Sequence, residues 1–171
     1  MPRPHPPTDE DLESAARRLG RRLTERGWQM AAAESCTGGL VGHVVTQIPR
    51  SSDHFLGAIV SYSDAVKEEL LDVPADLIER VGAVSAEVAE AMTAGTLARF
   101  PVADLALAVT GIAGPDGGSE AKPVGLTYVA AATRDGRASV ERHEWPHDRD
   151  GNKRASAMAA LELADRLVRE G

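Results

Sequence analysis

Apolar residues along the chain fall first at helical spacing and then in short runs. Leu12, Ala15, Ala16, Leu19 and Leu23 recur every three or four positions behind Thr8-Asp9-Glu10-Asp11, an acidic start resembling a capping box, and Gly27 closes the run. This predicts a helix over 9–26. Trp28 to Ala33 is short and apolar, as in a buried strand; Leu40 to Ile48 reads as a helix stopped by Pro49, and Phe55 to Tyr62 as the next strand. A helix between two strands suits a parallel crossover, so the strand ends at Ser35 and Tyr62 are expected on the same edge of the sheet.

Ser63-Asp64 then reads as the cap of a short helix over Ala65 to Leu71 that stops before Pro74. Asp76 to Val81 forms another, and Ser85, with Glu87 and Glu90 behind it, opens a helix to about Arg99. Ala103 to Thr110 is a strand that empties into the glycine-rich segment 111–119, too short and flexible for a helix. Val124 to Thr133 must therefore return antiparallel, and Asp135-Gly136 turns it into a last strand, Ala138 to Trp145. Asp148 or Asp150 caps a final helix with the stripe Met158, Leu161, Leu163, Ala164 and Leu167. The pattern predicts an α/β protein, a three-layer α/β/α fold with a mixed sheet of about five strands. Residues 1–8 are expected to be a disordered, proline-rich tail, and 9–171 a single domain without internal repeats.

Composition narrows the function. The net charge of −7 argues against nucleic acid as a partner, because phosphate neutralisation needs a concentrated basic face. Arg17-Arg18 and Arg21-Arg22 sit among acids on the first helix and read as a solvated face. A lone cysteine, Cys36, excludes a disulfide framework and a four-thiolate zinc site. With no signal-like amino terminus and no apolar run of membrane-spanning length, the expectation is a cytoplasmic protein with no membrane partner. Only Lys67, Lys122 and Lys153 are lysines among 19 basic residues, and a lysine kept in so arginine-rich a chain can mark an amine that must lose its proton.

Candidate chemistry centres on Ala31-Ala32-Ala33-Glu34-Ser35-Cys36-Thr37-Gly38-Gly39-Leu40, a strand running through small polar residues into a helix start. A serine there points off the sheet end, and the backbone N–H groups of Cys36, Thr37, Gly38 and Gly39 face the same spot as oxyanion donors. The plain alternative makes Ser35 and Thr37 helix caps. Serine needs a base, and no histidine is well placed: His43 lies inside the following helix, His54 precedes a strand, and His143 and His147 flank the last strand's end. Lys67, five residues after Tyr62, is the candidate, set against a surface lysine beside Glu68 and Glu69. Cys36 reads as a small buried hydrophobe before a nucleophile. The His143-x3-His147 spacing is broken by Pro146 and lacks a third ligand, so neither metal nor cofactor is expected. The 111–119 loop lacks the ending of a P-loop, yet its amides could hold one phosphate, with Arg149 as a clamp or as an exposed helix-start arginine.

Five blocks in this order, Ala33-Glu34-Ser35-Cys36-Thr37-Gly38-Gly39, Tyr62-Ser63 with Lys67, Gly82-Ala83-Val84-Ser85, Gly111 to Gly118 with Lys122-Pro123-Val124-Gly125, and Asp148-Arg149, resemble the CinA carboxyl-terminal domain family over about residues 9–170. The chain resembles its stand-alone nicotinamide-nucleotide amidases (NMN deamidases of the PncC type), since the MoeA/MogA-like domain often fused ahead is absent. The resemblance implies a three-layer α/β/α fold and hydrolysis of the carboxamide of nicotinamide mononucleotide to nicotinate mononucleotide and ammonia. It also implies Ser35 as nucleophile, Lys67 as base and Tyr62 as a positioning or relay group. Thr110, Gly111, Ile112, Ala113, Gly114 and Arg149 would bind substrate, with Arg149 serving catalysis or phosphate. A homo-oligomer, with a dimer favoured, is implied. The rival readings are a non-catalytic phosphate or pyridine-nucleotide binding module, and an amidase or esterase for another small substrate.

Overall fold

The computed structural model describes residues 5–170. Within them the order is α1 (Asp9–Arg26), β1 (Met30–Glu34), α2 (Leu40–Thr46), β2 (Phe55–Val60), α3 (Asp64–Leu71), α4 (Ala75–Val81), α5 (Ala86–Arg99), β3 (Leu105–Gly111), β4 (Leu126–Thr133), β5 (Ala138–Glu144) and α6 (Arg149–Arg169). The strands form one mixed sheet, β2-β1-β3-β4-β5, parallel through β3 and antiparallel beyond it. Leucines and valines of α1, α2 and α6 cover one face, and Leu71, Ile78, Val88 and Met92 of α3 to α5 cover the other. This is the expected three-layer α/β/α arrangement. No helix among the described residues is long and apolar enough to cross a membrane.

The centre of the sheet is built from alanine. Ala31, Ala32 and Ala33 of β1 and Ala106 and Ala108 of β3 are fully buried, and such small side chains let both helical layers approach closely. Glu34 pairs with Val60 on one side and Val109 on the other, so the chain after β1 leaves from between the ends of β2 and β3. That is where a parallel α/β sheet opens a crevice.

Element boundaries moved where a cap competed with a strand. The Trp28 N–H donates to Leu23 O at 2.8 Å and completes the end of α1, so β1 starts at Met30 and runs on through Glu34. Trp28 instead lies under the guanidinium groups of Arg26 and Arg137, at 5.3 and 5.6 Å. The arginines of α1 are only half the solvated face that was expected. Arg17 and Arg21 are exposed, but Arg18 and Arg22 reach Asp165 of α6 at 3.3 and 2.6 Å, because that carboxylate is buried and needs donors. Leu12, Leu19 and Leu23 remain the main hold on α1, each contributing about 1.5–3 kcal/mol by burial. Of the amino-terminal tail, residues 1–4 lie outside the described residues, as does residue 171 at the other end. Pro7 is buried and its carbonyl accepts from Arg154 Nε at 2.6 Å, while Thr8 and Asp11 form the capping box of α1.

The layer that carries Lys67 is seated by one close approach. Gly95 of α5 faces the Leu71 carbonyl at the end of α3, and a Cβ there would lie 1.9 Å from that oxygen. Since the obstacle is backbone, α3 and α5 must part to admit a methyl group. Gly95→Ala is expected to destabilise the protein by about 1–3 kcal/mol or more despite its better helix propensity, read as a lower urea midpoint. An unchanged or raised midpoint would refute the close-packing account.

Candidate active site

The turn from β1 into α2 is organised by Glu34, which is 0% exposed. One carboxylate oxygen accepts from Thr37 Oγ1 at 2.6 Å and from the N–H groups of Gly39 and Val41 at 3.1 and 3.0 Å; the other accepts from the Gly42 N–H at 2.8 Å. The N-cap of α2 is Gly39, which has no side chain to cap with. Glu34 therefore caps the helix from the strand before it, satisfying donors that a helix start leaves open. The capping role weighed for Ser35 and Thr37 is not theirs: Thr37 serves Glu34, and Ser35 is left for something else. The informative signal is a glutamate ending a run of three alanines just before paired glycines. A charge in so apolar a strand must find donors nearby.

Strand alternation turns Ser35 to the opposite face from Glu34, toward α3. Ser63 caps α3, its hydroxyl accepting from the Val66 N–H at 3.3 Å, and the first turn carries Lys67 inward. Lys67 is 1% exposed. Its Nζ stands 3.2 Å from Ser35 Oγ and donates to the Tyr62 carbonyl at 3.1 Å, with Asp64 at 3.8 Å. Burial lowers the lysine pKa below its ordinary range, against a smaller opposing pull from Asp64. Asp64 is half exposed and solvent-screened, so desolvation wins. Glu68 and Glu69 point to solvent, and the surface reading of Lys67 falls away.

The four backbone donors expected around the serine divide into two pairs. Gly38 N–H is taken by Ser35 O at 3.0 Å and Gly39 N–H by Glu34, because both help close the turn. The Thr37 N–H has no acceptor among the described residues, and the Cys36 N–H meets only the sulfur of its own side chain. Cys36 itself is buried beside Gly111 and its thiol is pushed up to about 12, chiefly by desolvation, so it is no thiolate nucleophile. Gly111 is required there: a Cβ would stand 2.6 Å from Thr127 Oγ1 and 3.1 Å from Cys36 Sγ.

Ser35, Tyr62, Asp64, Lys67, Ala83, Thr110 and the 111–117 loop enclose a cavity of about 290 Å³, closed on one side by Arg149. The Thr110 hydroxyl donates to Ala83 O at 2.8 Å and holds the Gly82 to Ser85 segment against the sheet. Ile112 is fixed by backbone bonds to Leu126 and Gly125, each 2.8 Å, and Ala113 O accepts from Asn152 Nδ2 at 3.0 Å. Arg149 donates to Gly114 O at 2.5 Å and to the Tyr62 hydroxyl at 3.4 Å. Tyr62 thus positions Lys67 through its carbonyl; its ring, 61% exposed, stands at the mouth with Arg149, and its hydroxyl bonds neither Ser35 nor Lys67. Asp64 and Asn152 are site residues that sequence reasoning did not single out.

The histidines lie elsewhere. His43 meets Gln47 at 3.1 Å on α2, and His54 is buried against Gly20 with its pKa lowered by desolvation. His143 stacks on Trp145 at 4.6 Å and meets Glu141 at 3.1 Å. No cluster of three potential metal ligands occurs among the described residues.

These features define an α/β/α domain with a buried serine–lysine pair at the carboxyl edge of its parallel strands. The chain belongs to the CinA C-terminal domain family, whose model matches residues 12–168. It is 45% identical over 158 residues to a CinA-like protein of Desulfotalea psychrophila, covering 92% of this chain and 38% of that protein. A CinA-like protein of Geobacter sulfurreducens is 46% identical over 160 residues, covering 94% and 38%. The chain thus spans under two-fifths of the length of these curated relatives. Among solved structures it is similar to the competence/damage inducible protein CihA of Agrobacterium tumefaciens (TM-score 0.86, 37% identity, 90% of this chain and 93% of that one). It is also similar to a CinA superfamily protein of Klebsiella pneumoniae (TM-score 0.88, 28% identity, 94% and 99%).

Glu34→Gln keeps the size but places an amide NH2 against at least one N–H donor. The expected loss is about 2–4 kcal/mol of stability, measured by denaturant unfolding, since a donor would be left buried and unpaired. A change under about 0.5 kcal/mol would mean that the carboxylate is not the cap that holds the turn.

Proposed function

We propose that the protein is a nicotinamide-nucleotide amidase, hydrolysing the carboxamide of nicotinamide mononucleotide to nicotinate mononucleotide and ammonia through a Ser35 acyl-enzyme. The observation that carries this reading is the 3.2 Å contact between Ser35 Oγ and a buried Lys67 whose pKa is lowered. A neutral lysine has one lone pair and two N–H bonds. Here one N–H is directed at Tyr62 O, leaving the lone pair for the serine proton.

Lys67 takes that proton as Oγ attacks the amide carbon. The Cys36 and Thr37 N–H groups receive the oxyanion. The C–N bond then breaks as Lys67 returns the proton to the departing nitrogen, and ammonia leaves. Water enters, gives its proton to Lys67 and attacks the ester; Ser35 leaves reprotonated and the product is the carboxylate. The family membership and the cavity joining the 111–117 loop to Arg149 support a small nucleotide as substrate.

Incubation with nicotinamide mononucleotide, with ammonia and nicotinate mononucleotide measured together, tests the reading. Ser35→Ala and Lys67→Arg are each expected to lower turnover by about three or more orders of magnitude while leaving the circular dichroism spectrum native. Wild-type-like ammonia release by either variant would eliminate the Ser/Lys assignment.

Because Lys67 must be neutral, kcat/KM should rise with pH and reach half its plateau below 10.5, the ordinary lysine value. The Asp64 carboxylate favours the ammonium form, so Asp64→Asn should move that half-point to lower pH. A half-point that stays put or moves up would show that Lys67 is not the titrating base.

A further inference from the structure

Two of the three lysines have protein partners. Lys67 faces Ser35, and Lys122 donates to Val81 O and Val84 O at 2.5 and 2.8 Å, closing the end of α4. Lys153 has no hydrogen bond or ion pair to any described residue and is only partly buried. It follows Arg149 by four residues on α6, so both project from one face of that helix. Its Nζ lies 4.0 Å from the position a Cβ would take on Gly38, in the turn that carries Ser35. From there its charge also reaches the Cys36 thiol, which it acts to lower against the stronger effect of burial.

We propose that Lys153 is the anchor for the phosphate monoester of the substrate and thereby determines specificity for the nucleotide over its nucleoside. The inference rests on the amidase reading and names the part of the site that holds the far end of the same molecule. Arg149, the other cation on this face, is committed to Gly114 O and the Tyr62 hydroxyl and so holds the cavity wall. The ammonium left to meet an anion is Lys153. The polarity of the site agrees with a substrate that has a cationic pyridinium ring and an anionic phosphate. Asp64 stands beside the reacting end at Lys67, while Lys153 stands across the turn on α6. Gly38 is exposed at the rim of the turn, its φ of 62° suits glycine, and it puts no side chain beside the ammonium.

The test compares nicotinamide mononucleotide with nicotinamide riboside, which keeps the same pyridinium amide and lacks only the phosphate. For Lys153→Ala the ratio of kcat/KM for nucleotide over nucleoside is expected to fall about ten- to a hundredfold, mostly through KM for the nucleotide, with Lys153→Arg restoring most of it. An unchanged ratio, or equal losses on both substrates as a role at the oxyanion would give, overturns the proposal. If wild type releases ammonia from neither compound, the amidase reading fails by itself. The inference is then decided by calorimetric Kd values for the same two compounds: a nucleotide preference lost in Lys153→Ala upholds it, and equal preference in both proteins overturns it.

Discussion

A carboxylate buried with no exposed surface sets the geometry of this protein's working edge. Glu34 ends a strand of alanines, and placing its charge there would be prohibitive without donors. The donors it takes come from Thr37, Gly39, Val41 and Gly42, the opening residues of the next helix. Drawing those residues in over one side chain forces the chain to reverse within a few positions. Ser35 and Cys36, caught inside the reversal, take no part in capping. The Ser35 hydroxyl is left to meet Lys67, and the Thr37 N–H has no acceptor among the described residues, because Glu34 has done the work usually left to a serine or threonine cap.

The same strand end decides which helical layer Ser35 meets. Neighbouring residues of a strand face opposite ways, so a glutamate committed to the α2 layer obliges the next residue to face α3. There the inward first turn of α3 presents Lys67, packed too deeply to hold water around its ammonium. Asp64 opposes the loss of charge from a half-exposed position, which limits its effect. Thr110 of β3 holds the Gly82 to Ser85 segment against the sheet, and Arg149 of α6 reaches Gly114 and Tyr62 at its edge. The cavity walls are thus held by bonds from both the sheet and α6.

Much of this was legible in the chain. The period of Leu12 to Leu23, the Gly27 stop, the Ser63 and Ser85 caps, the Asp148 start and the Asp135-Gly136 turn all act within a few residues, and the helices and strands follow them closely. The short glycine-rich return after β3 was enough to imply an antiparallel β4. The parallel crossover placed Ser35 and Tyr62 on one edge, and Lys67 came with them. What escaped reading were the choices among partners. Arg18 and Arg22 looked like surface charge until Asp165, more than 140 positions away, was found buried beneath them. Gly38 and Gly39 looked like free donors until the turn itself consumed their N–H groups.

Sequence alone determined the elements, the mixed character of the sheet and the short set of residues able to do chemistry, because periodicity, capping and turn formation are local and leave a local record. Only the tertiary structure decided which of those residues work together. The Ser35 to Lys67 contact joins positions 32 apart and the Arg149 to Tyr62 contact positions 87 apart. Whether a lysine is a solvated charge or a neutral base depends on how much water the surrounding layers exclude. That quantity belongs to the packed protein, and no stretch of chain around Lys67 contains it.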